Sequence, residues 1–179
     1  MNNKTLKTDT HTRNQKTTTN NKYNFKLHSI DDKKTHEDDI ISAIGNGRVH
    51  KDNISFDLLR SMCSAMRTED LWDELDRGRA ILPTVEHLDQ YMHSYGRIVS
   101  EPMRSLLEQF ELPNTPIELY DYGCGQGTAS LLLAEQFPHA LANIESLTLI
   151  EPSKVALNRA AAVANCIFED SEVFSLYAT

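Results

Sequence analysis

After residue 116 the hydrophobic period of the chain changes, and that change limits the fold more than any other feature. IELYDYG, from Ile117 to Gly123, is a short apolar run that ends on a glycine. TASLLLAEQF follows with helical spacing, then SLTLIE as a second short run, then SKVALNRAAAVA as a second helical segment. Short apolar runs bounded by turn residues read as buried strands. Strand, helix, strand, helix with short links is a βαβ series, which implies an α/β fold: a parallel sheet with helices on its faces.

The chain ahead of this series reads differently. Residues 37–111 carry helical patterns: HEDDIISAIGNG, stopped by Gly45 and Gly47, then ISFDLLRSMCSAM with Ile54, Leu58, Leu59, Met62 and Met66 on one face. Thr68 is the expected cap of a helix through TEDLWDELDRG, closed by Gly78, with Glu69 and Asp70 suited to the positive end of its dipole. Thr84 opens a further segment with Leu88, Met92 and Tyr95 directed inward, and Gly96 and Pro102 mark an expected break. PMRSLLEQF presents Met103, Leu106, Leu107 and Phe110 before a PNTP loop. Residues 1–36 have almost no apolar content and no period, and are expected to be a disordered basic tail. The expected organisation is thus a tail over 1–36, a helical region over 37–111 and an α/β region over 112–179.

Charge is divided unevenly. The formal net charge is −8, yet residues 1–35 carry eight Lys/Arg against three Asp. The remainder is therefore strongly acidic and a poor general binder of nucleic acid, which needs clustered cations. The basic tail suits an anionic surface or simple solvation. No stretch of eighteen apolar residues suggests a membrane span, and no apolar h-region suggests a secretory signal, so the expected location is the cytoplasm. Cys63, Cys124 and Cys166 form no C-x-x-C pair, and the histidines, among them His11, His28 and His36, show no metal spacing.

The glycines at 123, 125 and 127 stand where the first strand turns into a helix. Ligands of parallel sheets bind in that crevice, glycines admit positive φ and close approach, and the next helix presents free N–H groups. Dinucleotides use G-x-G-x-x-G, whereas this spacing is G-x-G-x-G with Thr128 in the third glycine's place. Asp121, two residues ahead of the first glycine, would oppose a pyrophosphate and suits a ligand that carries positive charge. S-adenosylmethionine, with an ammonium and a sulfonium, fits that requirement. Glu151 ends the second apolar run thirty residues later, where a carboxylate accepts from ribose hydroxyls.

DYGCGQG resembles motif I of the class I S-adenosylmethionine-dependent methyltransferases, and LIEPS resembles their second motif. The resemblance covers roughly residues 84–170. It implies a Rossmann-like parallel sheet, of which this chain holds only the first half, preceded by the helical region. It also implies site roles. Asp121 would lie near the methionine amino group, and Gly123, Cys124 and Gly125 would form the floor under the methionine and sulfonium. Gly127 would pack the first helix, Glu151 would hold the ribose, Pro152 would start the adenine wall, and Ser153 would cap the second helix. An acidic residue meeting the adenine would come from Glu169 or Asp170. A helix ahead of the first strand would fold over the cofactor and bring Tyr91, His93 and Tyr95 to its mouth. Tyr91 and Tyr95, four apart on one face, read more readily as core or semi-core packing.

The expected function is a methyltransferase with an acceptor and catalytic residues not readable from the chain, cut from a longer protein. The alternative is a non-catalytic cofactor-binding or interaction module that pairs with a protein partner or a missing C-terminal half.

Overall fold

A computed structural model describes residues 37–178. The tail lies outside the described residues, and so do His11, His28 and His36. Three helices come first: α1 (Asp39–Gly45), α2 (Phe56–Met66) and α3 (Val85–Leu107). Strand β1 (Ile117–Tyr122), helix α4 (Thr128–Gln136), strand β2 (Ile144–Glu151), helix α5 (Lys154–Ile167) and strand β3 (Glu172–Tyr177) complete the order. The fold is thus α/β, a small parallel sheet flanked by helices and Rossmann-like in its general topology.

Local chemistry sets the helix starts. The Asp38 carboxylate accepts the N–H groups of Ile40 and Ile41, and the Ser55 and Ser153 hydroxyls accept those of Leu58 and Ala156. Each cap satisfies a donor that has no partner within its helix.

The strands lie in the order β1-β2-β3, all parallel, with Leu119, Leu147 and Val173 abreast, and Asp121, Leu149 and Ser175 abreast one step on. Two right-handed crossovers that progress in the same direction across a sheet put both helices on one face. The helices of the described chain accordingly gather on the face of Leu119, Leu147 and Leu149 rather than on both faces. The opposite face leaves Tyr120, Tyr122 and Phe174 exposed, with the two tyrosine rings stacked 6.4 Å apart.

One hydrophobic cluster joins the two regions. Ile40, Phe56, Leu59 and Met92 from the helical region belong to the same core as Leu131, Leu147, Leu149 and Ala160. Leu147 and Leu149 have no exposed area, and burying each such side chain contributes about 1.5–3 kcal/mol.

Two elements differ from the sequence expectation. The expected break at Gly96 and Pro102 is absent, and α3 runs through both. Gly96 is where α2 comes close: a Cβ there would lie 3.3 Å from Phe56 Cζ and 3.4 Å from Arg60 Cδ. Pro102 only frees the Ile98 carbonyl, on a residue 66% exposed, where water can replace the lost bond. The expected helix from Thr68 to Gly78 is instead two 3-10 turns, Glu69–Leu71 and Asp73–Gly78, and Thr68 makes no side-chain cap. Asp76, Arg77 and Gly78 all take positive φ (42°, 55° and 84°), which reverses the chain and sends Leu75 fully inside.

Candidate functional site

The C-terminal ends of β1 and β2 meet the glycine loop in a single cavity of about 390 Å³. Gly123 N–H and Cys124 N–H both donate to the Ile150 carbonyl, so the loop begins by leaning on β2. Gly123, Gly125 and Gly127 then take φ of +66°, +53° and +84°. An added Cβ at Gly125 would meet nothing within 4 Å, so glycine is needed there for the dihedral and the space above stays free. Gly127 is different. A Cβ there would lie 3.2 Å from Ala160 Cα, so this glycine lets the start of α4 close against α5.

Glu151 is buried beneath the loop, and both its oxygens are engaged. Gly125 N–H donates to Oε2 at 3.0 Å and Ser153 N–H donates to Oε1 at 2.9 Å. The residue expected to hold a ribose therefore also fixes the loop. Asp121 lines the same cavity, where the Ser130 hydroxyl donates to its Oδ2 at 2.7 Å. Burial pushes its carboxyl above the usual aspartate range, and the Ser130 bonds pull the other way. The thiol of Cys124 is pushed far up by burial and by the carboxylates of Asp121 and Glu151. It is an inert wall of the loop, as a buried structural cysteine is.

The other wall comes from the helical region. Gly78, the last residue of the left-handed turn, and Ala80 and Leu82 after it face the cavity, and Tyr91, Val99 and Met103 face it from α3. The Ser153 hydroxyl, which caps α5, also donates to the Leu82 carbonyl and ties that segment down. Among the described residues, the lining carries two carboxylates, Asp121 and Glu151, and no Lys, Arg or His.

Of the residues singled out in the sequence, Asp121, Gly123, Cys124, Gly125, Glu151 and Tyr91 come together here. Pro152 is half-buried beside Glu151 and outside the lining, while Gly127 supports the loop from behind. Tyr95 stacks on Trp72 at 5.4 Å. His93 lines a separate cleft of about 490 Å³ with Arg60, Glu69, Trp72, Gln90 and Ser94, which shares no residue with the glycine-loop cavity. Its Nδ1 lies 3.0 Å from Ser64 Oγ, and burial with the nearby Arg67 and Arg60 lowers its pKa.

Glu169 and Asp170 do not meet the expected role. They sit in the turn between α5 and β3, hence at the N-terminal end of β3, across the sheet from the glycine loop. Glu169 pairs instead with Lys51 at 3.4 Å on the surface. In a parallel strand the two ends lie one strand length apart, and only residues beyond the C-terminal end reach the ligand crevice.

Sequence reasoning missed Gln126, Arg159, Asp38 and Asp89. Gln126 is buried in mid-loop, its amide donating to the Leu88 carbonyl of α3 at 3.0 Å and its Oε1 accepting from Arg159 Nη1 at 2.8 Å. The one available signal was an arginine set among alanines on a helix otherwise fit for the core, in NRAAAVA. Among the described residues there is no group of acidic, histidine or cysteine side chains that could hold a metal, and no helix long and apolar enough to cross a membrane. Comparison with models of known families, with curated proteins and with solved structures finds no match.

Proposed function

We propose that this chain binds S-adenosylmethionine and belongs to a methyltransferase. One observation carries the reading: Asp121, Gly123, Gly125 and Glu151, two carboxylates and an open glycine loop, face one cavity that the described residues line without any Lys, Arg or His. A pyrophosphate in that cavity would face two carboxylates without a cation, at a cost that grows as the dielectric falls. A ligand that carries an ammonium and a sulfonium gains from the same field. The cavity's size lies within the range of small-molecule sites, roughly 300–1,000 Å³.

The residues divide the work. Asp121 faces the ammonium and exchanges its burial penalty for an ion pair. The free space over Gly123 and Gly125 lets the main chain approach the ligand closely. Glu151 keeps lone pairs for ribose hydroxyls beyond the two it gives to the backbone, since a carboxylate has about four acceptor sites. Tyr91, Val99 and Met103 exclude water from the apolar middle. When bound, S-adenosylmethionine supplies a methyl group already activated for transfer, so the protein's part is positioning and desolvation. Which acceptor receives the methyl group depends on surfaces that this cavity does not define.

Calorimetric titration of S-adenosylmethionine into the purified chain tests the reading, with an Asp121→Ala, Glu151→Ala double variant as control. Saturable heat that vanishes in the folded double variant is the expected result. Equal heat in both proteins, or none in a folded wild type, sinks it.

A second reading has its own support. β1 and β3 are edge strands among the described residues, and Tyr120, Tyr122 and Phe174 lie bare on one face. A sheet with an open edge and an uncovered aromatic face suits a module that pairs with further polypeptide. Light scattering on the purified chain separates the two: a monodisperse monomer that binds the cofactor argues against an obligate partner.

A further inference from the structure

Arg159 is the bulkiest side chain fully enclosed by the described residues, 1% exposed. Its Nε donates to Asp38 Oδ2 at 2.7 Å, its Nη2 lies 2.9 Å from Asp89 Oδ1, and its Nη1 donates to Gln126 Oε1 at 2.8 Å. Asp38 is the cap of α1, Asp89 belongs to α3, and Gln126 stands between Gly125 and Gly127 in the loop. A guanidinium is a rigid planar fork, so two fixed carboxylates determine where its third arm points. That arm holds Gln126. The Leu88 carbonyl holds the other end of the same amide.

Buried ion pairs are poor sources of net stability, because desolvation consumes most of the Coulomb gain. What this one supplies is direction. Gly125 and Gly127 both take positive φ, and the residue between them is clamped from two sides. We propose that Arg159 is a positioning residue for the glycine loop. Held by Asp38 and Asp89, it fixes Gln126, so that the helical region sets the loop's shape from behind. The bearing of this on cofactor affinity rests on the S-adenosylmethionine reading above. The loop geometry does not.

The test uses the full chain without ligand and reads amide hydrogen exchange by NMR in wild type, Gln126→Ala and Asp38→Asn. Gln126→Ala removes the link and leaves the Asp38–Arg159–Asp89 group in place. Asp38→Asn keeps an oxygen for the α1 cap, since Asn caps as well as Asp, and removes the charge that faces Arg159. The amides to follow are Gly125, which donates to Glu151, and Gly127, which donates to the Cys124 carbonyl. At least a tenfold loss of protection there, with Leu147 and Leu149 of β2 unchanged, is the expected result. Unchanged protection at both glycines overturns the proposal, and so does an equal loss across β2, which signals general destabilisation alone. Should Asp38→Asn fail to fold, Gln126→Ala decides. A titration of S-adenosylmethionine well below the unfolding midpoint then reads the consequence: at least tenfold weaker binding in Gln126→Ala. Undiminished affinity there overturns the positioning role. A wild type that does not bind, but whose loop loosens in the variants, removes the cofactor reading and leaves the clamp standing.

Discussion

Glu151 reaches under the loop and takes the Gly125 N–H on Oε2 at 3.0 Å while Oε1 takes the Ser153 N–H. One carboxylate thus joins the tip of β2 to the middle of the glycine loop and to the start of α5. Glu151→Gln keeps the shape but turns an amide NH₂ toward one of those donors. A lost bond to a charged group costs about 1.5–3 kcal/mol. The expected outcome is a loss of that order in urea unfolding, together with at least tenfold weaker S-adenosylmethionine binding. A variant with wild-type stability would mean that the lost bond contributes nothing.

The three loop glycines should not be equal. Gly123→Ala and Gly125→Ala meet open space and bear only the left-handed dihedral, at roughly 1–2 kcal/mol each. Gly127→Ala bears the same dihedral and also drives a Cβ to 3.2 Å from Ala160 Cα, a backbone atom that cannot swing aside. It should be the most destabilising of the three in chemical denaturation. A ranking with Gly127→Ala mildest would contradict the close approach of α4 to α5.

Asp121 should trade stability for binding. Its folded pKa is raised, chiefly by burial, so the native state holds the proton more tightly than the unfolded chain does. Below the ordinary aspartate value, about 3.9, both states are protonated and no penalty exists. The penalty grows as pH rises from there and is complete above the raised folded value. Asp121→Asn should therefore stabilise the chain at neutral pH and have no effect at strongly acidic pH, while S-adenosylmethionine binding is lost. An ammonium beside Asp121 would also pull its pKa back down, so binding should release protons in the same window. Calorimetry in buffers of different ionisation enthalpy measures that release. A heat independent of buffer across the window would argue against the pairing.

Two ion pairs of the chain should behave in opposite ways. Arg159→Met removes the cation that pairs with both buried Asp38 and Asp89, and orphaned buried charges cost about 3–5 kcal/mol. Lys51→Met breaks the exposed pair with Glu169 and should cost less than about 1 kcal/mol. Urea titrations of both variants make the comparison. Similar small losses would show that water reaches the Arg159 cluster.

Local signals made much of this fold legible. The alternation of short apolar runs with helical segments made the parallel order of β1 and β2 legible, and the cap of α5 at Ser153 is the one that the resemblance implied. Asp121 and Glu151 were legible because topology alone brings the tips of adjacent parallel strands together. Three things were not. Gly96 reads as a helix breaker until Phe56 and Arg60 are seen to press on it from another helix. The left-handed pair Asp76 and Arg77 follows from where Leu75 must go, which no local pattern states. The Arg159 cluster joins residues as far apart as Asp38, so its members look like ordinary surface charges in the sequence.

That separation also orders events in time. Synthesis runs from the N-terminus, and Arg159 follows Asp38 by 121 positions. At about 5–20 residues per second, the ribosome needs roughly 6–24 s to cover them. Throughout that interval Asp38 lacks the cation it pairs with, and Asp89, Phe56 and Met92, once made, wait for Arg159 and for Ala160 of α5. The early helices thus have no finished interior to settle into, and the loop that waits on Gln126 cannot set until α5 has left the exit tunnel.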